Sequence, residues 1–245
     1  MNDPRVADDV LMDLAVARGN LRQIWRSVEE LRGCARSAER TLEDIDVETA
    51  GARLAPEGLR GAAYLRDAGD QMEVLRQRCA LGATLAGEIE ERLEVAQRHL
   101  GAARDRLIGY EDAPETEVAG LRTRIEDLGV LVDLATPLAA AARTHMQEAA
   151  HTAAQLTTPS LADADREYAA LRLDRGAQSA GRLVVRADEA GRHLDRTLEY
   201  AGSGASRSLG QAEAVSNAAH ARLGSAAAPQ PTSLSGLGGP GGPSR

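Results

Sequence analysis

From Val10 onward, apolar residues recur at alternating steps of four and three. The series runs Val10, Leu14, Ala17, Leu21, Ile24, Val28, Leu31, Ala35, Ala38, Leu42 and Ile45, five heptads without a miss. An average step of 3.5 residues keeps one stripe on one face of a slightly underwound helix, and such a helix must bury that stripe against others. Charges such as Arg18, Arg22, Arg26, Glu29, Glu30, Arg36, Glu39 and Arg40 fill the positions between. Asp3 before Pro4 suits a helix start, because Pro tolerates the first helical position and Asp caps free amides. Gly51 and Pro56 read as its end.

Two further stripes follow. Leu65, Ala68, Met72, Leu75, Cys79, Gly82, Ala86, Ile89, Leu93, Ala96, Leu100, Ala103, Leu107 and Tyr110 keep the same rhythm. Glu88 with Arg92 and Glu94 with Arg98 stand four apart with the acid first, an order that supports a helix by a few tenths of a kcal/mol. Asp112 to Glu115 resembles a capping box that opens the next element. The third stripe is Val118, Leu121, Ile125, Leu128, Val132, Ala135, Ala139, Ala142, Met146, Ala149, Ala153 and Leu156. Leu131, Leu134 and Leu138 widen it, so cover on two sides is expected. Pro137 lies inside, and the stripe stays in phase across it. A kinked but continuous helix is therefore expected, rather than a new start capped by Thr136.

After the Thr158-Pro159-Ser160 boundary a fourth helix is expected with a less regular stripe. Leu161, Ala164, Tyr168 and Leu171 fit one phase; Ala180, Val184, Ala187, Gly191, Leu194, Leu198 and Ala201 fit another. This reads as a slip near Gly176. Beyond Tyr200 the composition shifts. Residues 201–223 read as a linker and a short, weakly held helix from Gln211 to Leu223. Residues 224–245, rich in Ala, Pro, Gly and Ser, read as disordered, since they cannot bury enough apolar surface to offset ordering entropy.

The expectation is an all-α fold: an elongated antiparallel bundle of four long helices at about 3–50, 56–111, 114–157 and 160–201. Short junctions favour antiparallel neighbours. The stripes also permit hairpins that complete a bundle only in an oligomer. Composition agrees with helices. There is no Lys and no Phe, and the aromatics are Trp25, Tyr64, Tyr110, Tyr168 and Tyr200. Ala, Leu, Arg and Glu dominate, and all four favour helices. A sheet protein needs more β-branched and aromatic residues.

The net charge of -8 opposes sequence-independent nucleic-acid binding and docking on an anionic membrane. No uncharged apolar run approaches the roughly 20 residues of a membrane span. Leu128 to Ala142 comes nearest and is broken by Asp133 and Pro137. The first residues are acidic where a signal peptide is basic, so a cytoplasmic location is expected. Cys34 and Cys79 form no CxxC or Cys/His cluster and are expected as free thiols.

Nothing in the sequence spells a catalytic site. GxxxxGK[ST], GxSxG and HExxH are absent, and Gly236, Gly238 and Gly241 match a dinucleotide fingerprint by letter only. Glu148-Ala149-Ala150-His151 is a single ExxH, whereas a di-iron bundle needs two such pairs and two more Glu. His145, Glu148 and His151 fall beside or outside the stripe. His99, His193 and His220 are scattered. Trp25, next to core position Ile24, is the best candidate anchor for a protein partner, since Trp carries a large apolar area and a polar handle.

Helical-hairpin proteins of type VII secretion carry a Trp-x-Gly turn and a Tyr followed four residues later by an acid. Here Trp25 is followed by Arg26 and Ser27, and Tyr64, Tyr110, Tyr168 and Tyr200 are followed at that distance by Ala68, Pro114, Arg172 and Gly204. The expected function is accordingly non-enzymatic, without cofactor or metal. It is that of a structural or protein-interaction coiled coil, a scaffold or adaptor with protein partners or self-association. The alternatives are an exported helical-hairpin effector or partner of a secretion system, and a metal-binding bundle.

Overall fold

The structure, a computed structural model, describes residues 4–55, 59–108, 115–156 and 166–202. Four helices make up these residues: α1 (Pro4–Leu54), α2 (Leu59–Ile108), α3 (Glu115–Ala154) and α4 (Arg166–Gly202). No strand occurs among the described residues. With 51 residues, α1 is about 75 Å long at 1.5 Å per residue. α1 packs on α2, α2 on α3, α3 on α4, and α4 returns to α1, so one chain closes the ring. No helix is long and apolar enough to cross a membrane among the described residues.

Every chain neighbour is antiparallel. Asp13 meets His99 while Gly51 faces Tyr64, so α2 runs down as α1 runs up. Arg143 reaches Glu90 and Met146 covers Gly82 across α2 and α3. Arg32 meets Asp195 and Arg53 meets Asp174 across α1 and α4.

The stripes of α1, α2 and α3 are the core. Ile24, Leu31, Ile45, Met72, Leu75, Ile89, Leu93, Ile125, Leu138 and Met146 are among the fully buried side chains. Leu42, Leu65, Val118 and Leu128 are only partly buried against them. The α1 stripe also extends further than its apolar letters, through buried Thr49 and Ala52. Leu131 and Leu138 are buried and Leu134 half-buried, the two-sided cover expected for α3.

Gly51 does not end α1; the helix runs through it to Leu54. A glycine inside a helix costs only about 1 kcal/mol, and here it leaves room for a ring. A Cβ at residue 51 would stand 3.1 Å from Tyr64. α3 runs unbroken through Pro137. Thr136 does not cap a new helix, since its hydroxyl donates to the Val132 carbonyl at 2.8 Å, a bond of a helix interior. The carboxylates of Glu88 and Glu94 do not hold the expected arginines. Arg92 reaches across to Gln23 on α1, and Arg98 turns to the Glu94 carbonyl.

The expected slip at Gly176 is absent. The buried positions Ala170, Leu173, Ala177, Ala180, Val184 and Ala187 keep one unbroken phase. Tyr168 is 58% exposed and lies off that stripe. In an alanine core, the larger off-stripe residues Tyr168 and Leu171 mislead a count by hydrophobicity. Gly176 serves another purpose: a Cβ there would fall 1.9 Å from Cδ1 of Leu156. The expected linker, weak helix and tail from 203 onward, together with the 109–114 and 157–165 junctions, lie outside the described residues.

Candidate functional site

Trp25 stands against the last turns of α4. Its position follows from the heptad, one step past Ile24 toward α4. Its Nε1–H donates to Oδ1 of Asp195 at 2.9 Å. The other oxygen of Asp195 accepts from Nη1 of Arg32 at 2.5 Å. Asp188, two α4 turns away, sits 3.9 Å from Nε of Arg32 and 3.0 Å from Nε of Arg192. Two α4 carboxylates thus face the Arg32 guanidinium and the Trp25 indole across the α1–α4 seam, with Arg192 beside Asp188 on α4 itself. The polar handle of Trp25 is spent inside the molecule, yet its ring remains 53% exposed.

Beside the ring opens a cavity of about 360 Å³ lined by Leu21, Trp25, Leu128 and Leu198, with Arg18, Arg22 and Glu199 at its rim. Arg18 and Arg22 flank the indole on the α1 surface. Further along α1, Leu11, Met12 and Val16 are exposed as well. The α1–α4 seam therefore carries an apolar trench with charged edges beside Trp25. Such concave apolar surfaces with a few polar groups are where binding partners are accommodated.

The other polar side chains serve the seams. Asp13 is buried at the α1–α2 boundary, shares a hydrogen bond of 2.8 Å with Nδ1 of His99, and accepts from Arg106. Arg78 donates to the Ser37 carbonyl at 2.5 Å and to the Thr41 hydroxyl. Arg143 joins Glu90 at 2.6 Å across α2 and α3. The sequence pattern hides these pairs, because the partners stand on different helices and heptad arithmetic relates neighbours on one helix only.

The ExxH element does not gather a metal site. His145 is half-buried toward α4, whereas Glu148 and His151 are exposed. Nδ1 of His145 has no hydrogen-bond partner and stays 3.9 Å from Glu148. Burial pulls the His145 pKa down, with Arg186 acting the same way and Glu148 opposing. His151 pairs with Gln155 on its own helix instead. No cluster of three or more metal-ligating side chains occurs among the described residues.

Cys34 and Cys79 are both free. Burial pushes the Cys79 thiol up to about 12, with a smaller push from Cys34. Burial also raises Cys34, helped by Glu30 and opposed by Arg78. Thiols held protonated at neutral pH are poor nucleophiles and poor metal ligands. Comparison with protein-family models, with curated proteins and with solved structures returns no match.

Proposed function

We propose that this chain is a non-enzymatic structural or protein-interaction protein, a rod that spaces or bridges partner proteins in the cytoplasm. One observation carries the proposal. The buried carboxylates Asp13, Asp174 and Asp188 all face arginines on another helix, while Trp25, half exposed, lines an apolar cavity with Leu21, Leu128 and Leu198. Charged groups committed to holding helices are not arranged for turnover. An apolar trench with an indole at its lip suits the buried aromatic anchor of an interface. The partner surface is a protein one, since the negative net charge disfavours phosphate backbones and anionic lipid.

Light scattering after size exclusion, with small-angle X-ray scattering, tests the shape. A particle several times longer than wide is expected, and a near-spherical one refutes a spacer. Recovery of partners by the parent but not by a Trp25→Ala chain with unchanged melting tests the anchor. Equal recovery by both chains removes Trp25 from the interface.

A further inference from the structure

The α1 surface beside Trp25 carries positive charge that the fold does not use. Arg18, Arg22 and Arg26 follow one another at four-residue steps, and all three are exposed. Like charges at that spacing work against a helix. No acid on α1 relieves them at Arg18 or Arg22. The places three and four residues away hold Leu14, Ala15, Gly19, Leu21, Trp25 and further arginines. Among the described residues, neither Arg18 nor Arg22 forms an ion pair across the seams. By contrast, Arg32 reaches Asp195 and Arg53 reaches Asp174, both on α4. The chain as a whole carries a net charge of -8, so two uncompensated arginines side by side are a local exception.

These two arginines stand on the lip of the Trp25 cavity. Its walls are apolar: Leu21 from α1, Leu128 from α3 and Leu198 from α4. Its volume of about 360 Å³ lies near the lower end of the roughly 300–1,000 Å³ of ligand pockets. The indole is fixed before anything binds. Its Nε1–H donates to Asp195 at 2.9 Å, and Asp195 is held in turn by Arg32. A ring already ordered, and 53% exposed, spares a ligand the entropy cost of ordering it.

We infer that this cavity is a binding site for a small aromatic carboxylate, with its ring against Trp25 and its carboxylate between Arg18 and Arg22. The apolar walls and the indole take the ring, in the offset or edge-on contact that aromatic pairs favour. The guanidiniums take the carboxylate through charge-assisted hydrogen bonds, which are short and frequently bidentate. The cavity has room for one or two fused rings. Glu199 is the acid at the same rim and opposes an anion. Two arginines against one carboxylate still leave the rim positive. The site stands apart from the spacer reading, because it requires neither an elongated shape nor a protein partner.

The test titrates the purified full chain with three probes of one shape: 2-naphthoate, its neutral amide and 2-naphthylmethylammonium. Calorimetry gives the affinities. Trp25 is the only tryptophan, so its indole N–H proton resonance reports whether the probe sits at this cavity. Naphthoate is expected to bind about tenfold or more tighter than the ammonium, with the amide between them, and to shift the indole resonance. In an Arg18→Gln, Arg22→Gln chain the naphthoate should fall to the affinity of the amide, while the affinity for the amide and Tm stay at parental values. Glu199→Gln should tighten naphthoate and leave the amide unchanged. Absence of naphthoate binding, equal affinity for the three probes, or binding that leaves the indole resonance in place overturns the inference. Naphthoate affinity that survives loss of both arginines overturns it as well. None of these results bears on the shape of the rod or on recovery of protein partners.

Discussion

Replacing Gly176 by Ala tests the packing of α3 on α4 more sharply than any deletion of a core residue. Usually Gly→Ala inside a helix stabilises by up to about 1 kcal/mol. Here the added Cβ would lie 1.9 Å from Cδ1 and 3.1 Å from Cγ of Leu156, so that side chain must leave its seat. Leu156 is only 7% exposed, and expelling a buried Leu costs about 2 kcal/mol. The expected net effect is a loss of about 1 kcal/mol, which lowers Tm by roughly 2–4 °C in a chain of this size. Gly181, five residues on in the same helix, offers the control. Its Cβ would stand 3.5 Å from Cδ1 of Leu42, an ordinary contact. Gly181→Ala should therefore raise Tm by a similar amount. Circular dichroism melts of the two single variants and of Gly176→Ala combined with Leu156→Ala separate the terms. In the double variant the clash is gone, so adding Gly176→Ala to Leu156→Ala should stabilise. A Gly176→Ala chain that melts as high as Gly181→Ala refutes the reasoning.

Other perturbations probe the core, the seams and the titrating groups. Leu93→Asp or Val28→Asp places an unpaired charge at a fully buried position, and should unfold or dissociate the bundle in a denaturant titration; a parental midpoint would show the phase to be wrong. Asp13→Ala leaves His99 and Arg106 without their shared acceptor, and should cost about 1–3 kcal/mol in the same titration. His145 has a lowered pKa in the fold, so the unfolded chain takes its proton first. Stability should then fall as pH drops below about 6.5, the ordinary His value, and His145→Leu should flatten that slope in melts across the range. Ending the chain after Leu223 should leave Tm within a degree or so of the parent, because the residues removed lack any apolar stripe.

Three helices and their core faces are legible in the sequence because their stripes use Leu, Ile, Val and Met at nearly every heptad. α4 is less legible for a physical reason. Its core positions Ala170, Ala177 and Ala180 are smaller than the off-stripe Tyr168 and Leu171, so hydrophobic size points to the wrong face. Gly51 and Gly176 show a related difficulty. Each looks like punctuation along the chain, and each is a gap that a side chain distant in sequence fills: Tyr64 on α2 at Gly51, and Leu156 just past α3 at Gly176. The Trp25 trench is half legible. The isolated indole beside Ile24 marks it, but Asp195 lies 170 residues away, and no local pattern announces a partner at that distance. A separation of 86 residues from His99 conceals Asp13 in the same way, a charge within an apolar stretch of sequence that closes a seam in the fold.

The matched register of α1 and α4 makes the molecule a graduated object. Each heptad repeats the same step against its neighbours, so nothing but residue count sets where the rod ends. Adding one heptad to all four helices at the same level would lengthen it by about 10 Å and leave every seam above and below in place. Adding seven residues to one helix alone would shift its partners by two turns and break the clamps at Asp13, Asp174 and Asp195. The distance between the two ends is thus variable in fixed increments, provided that all four helices change together.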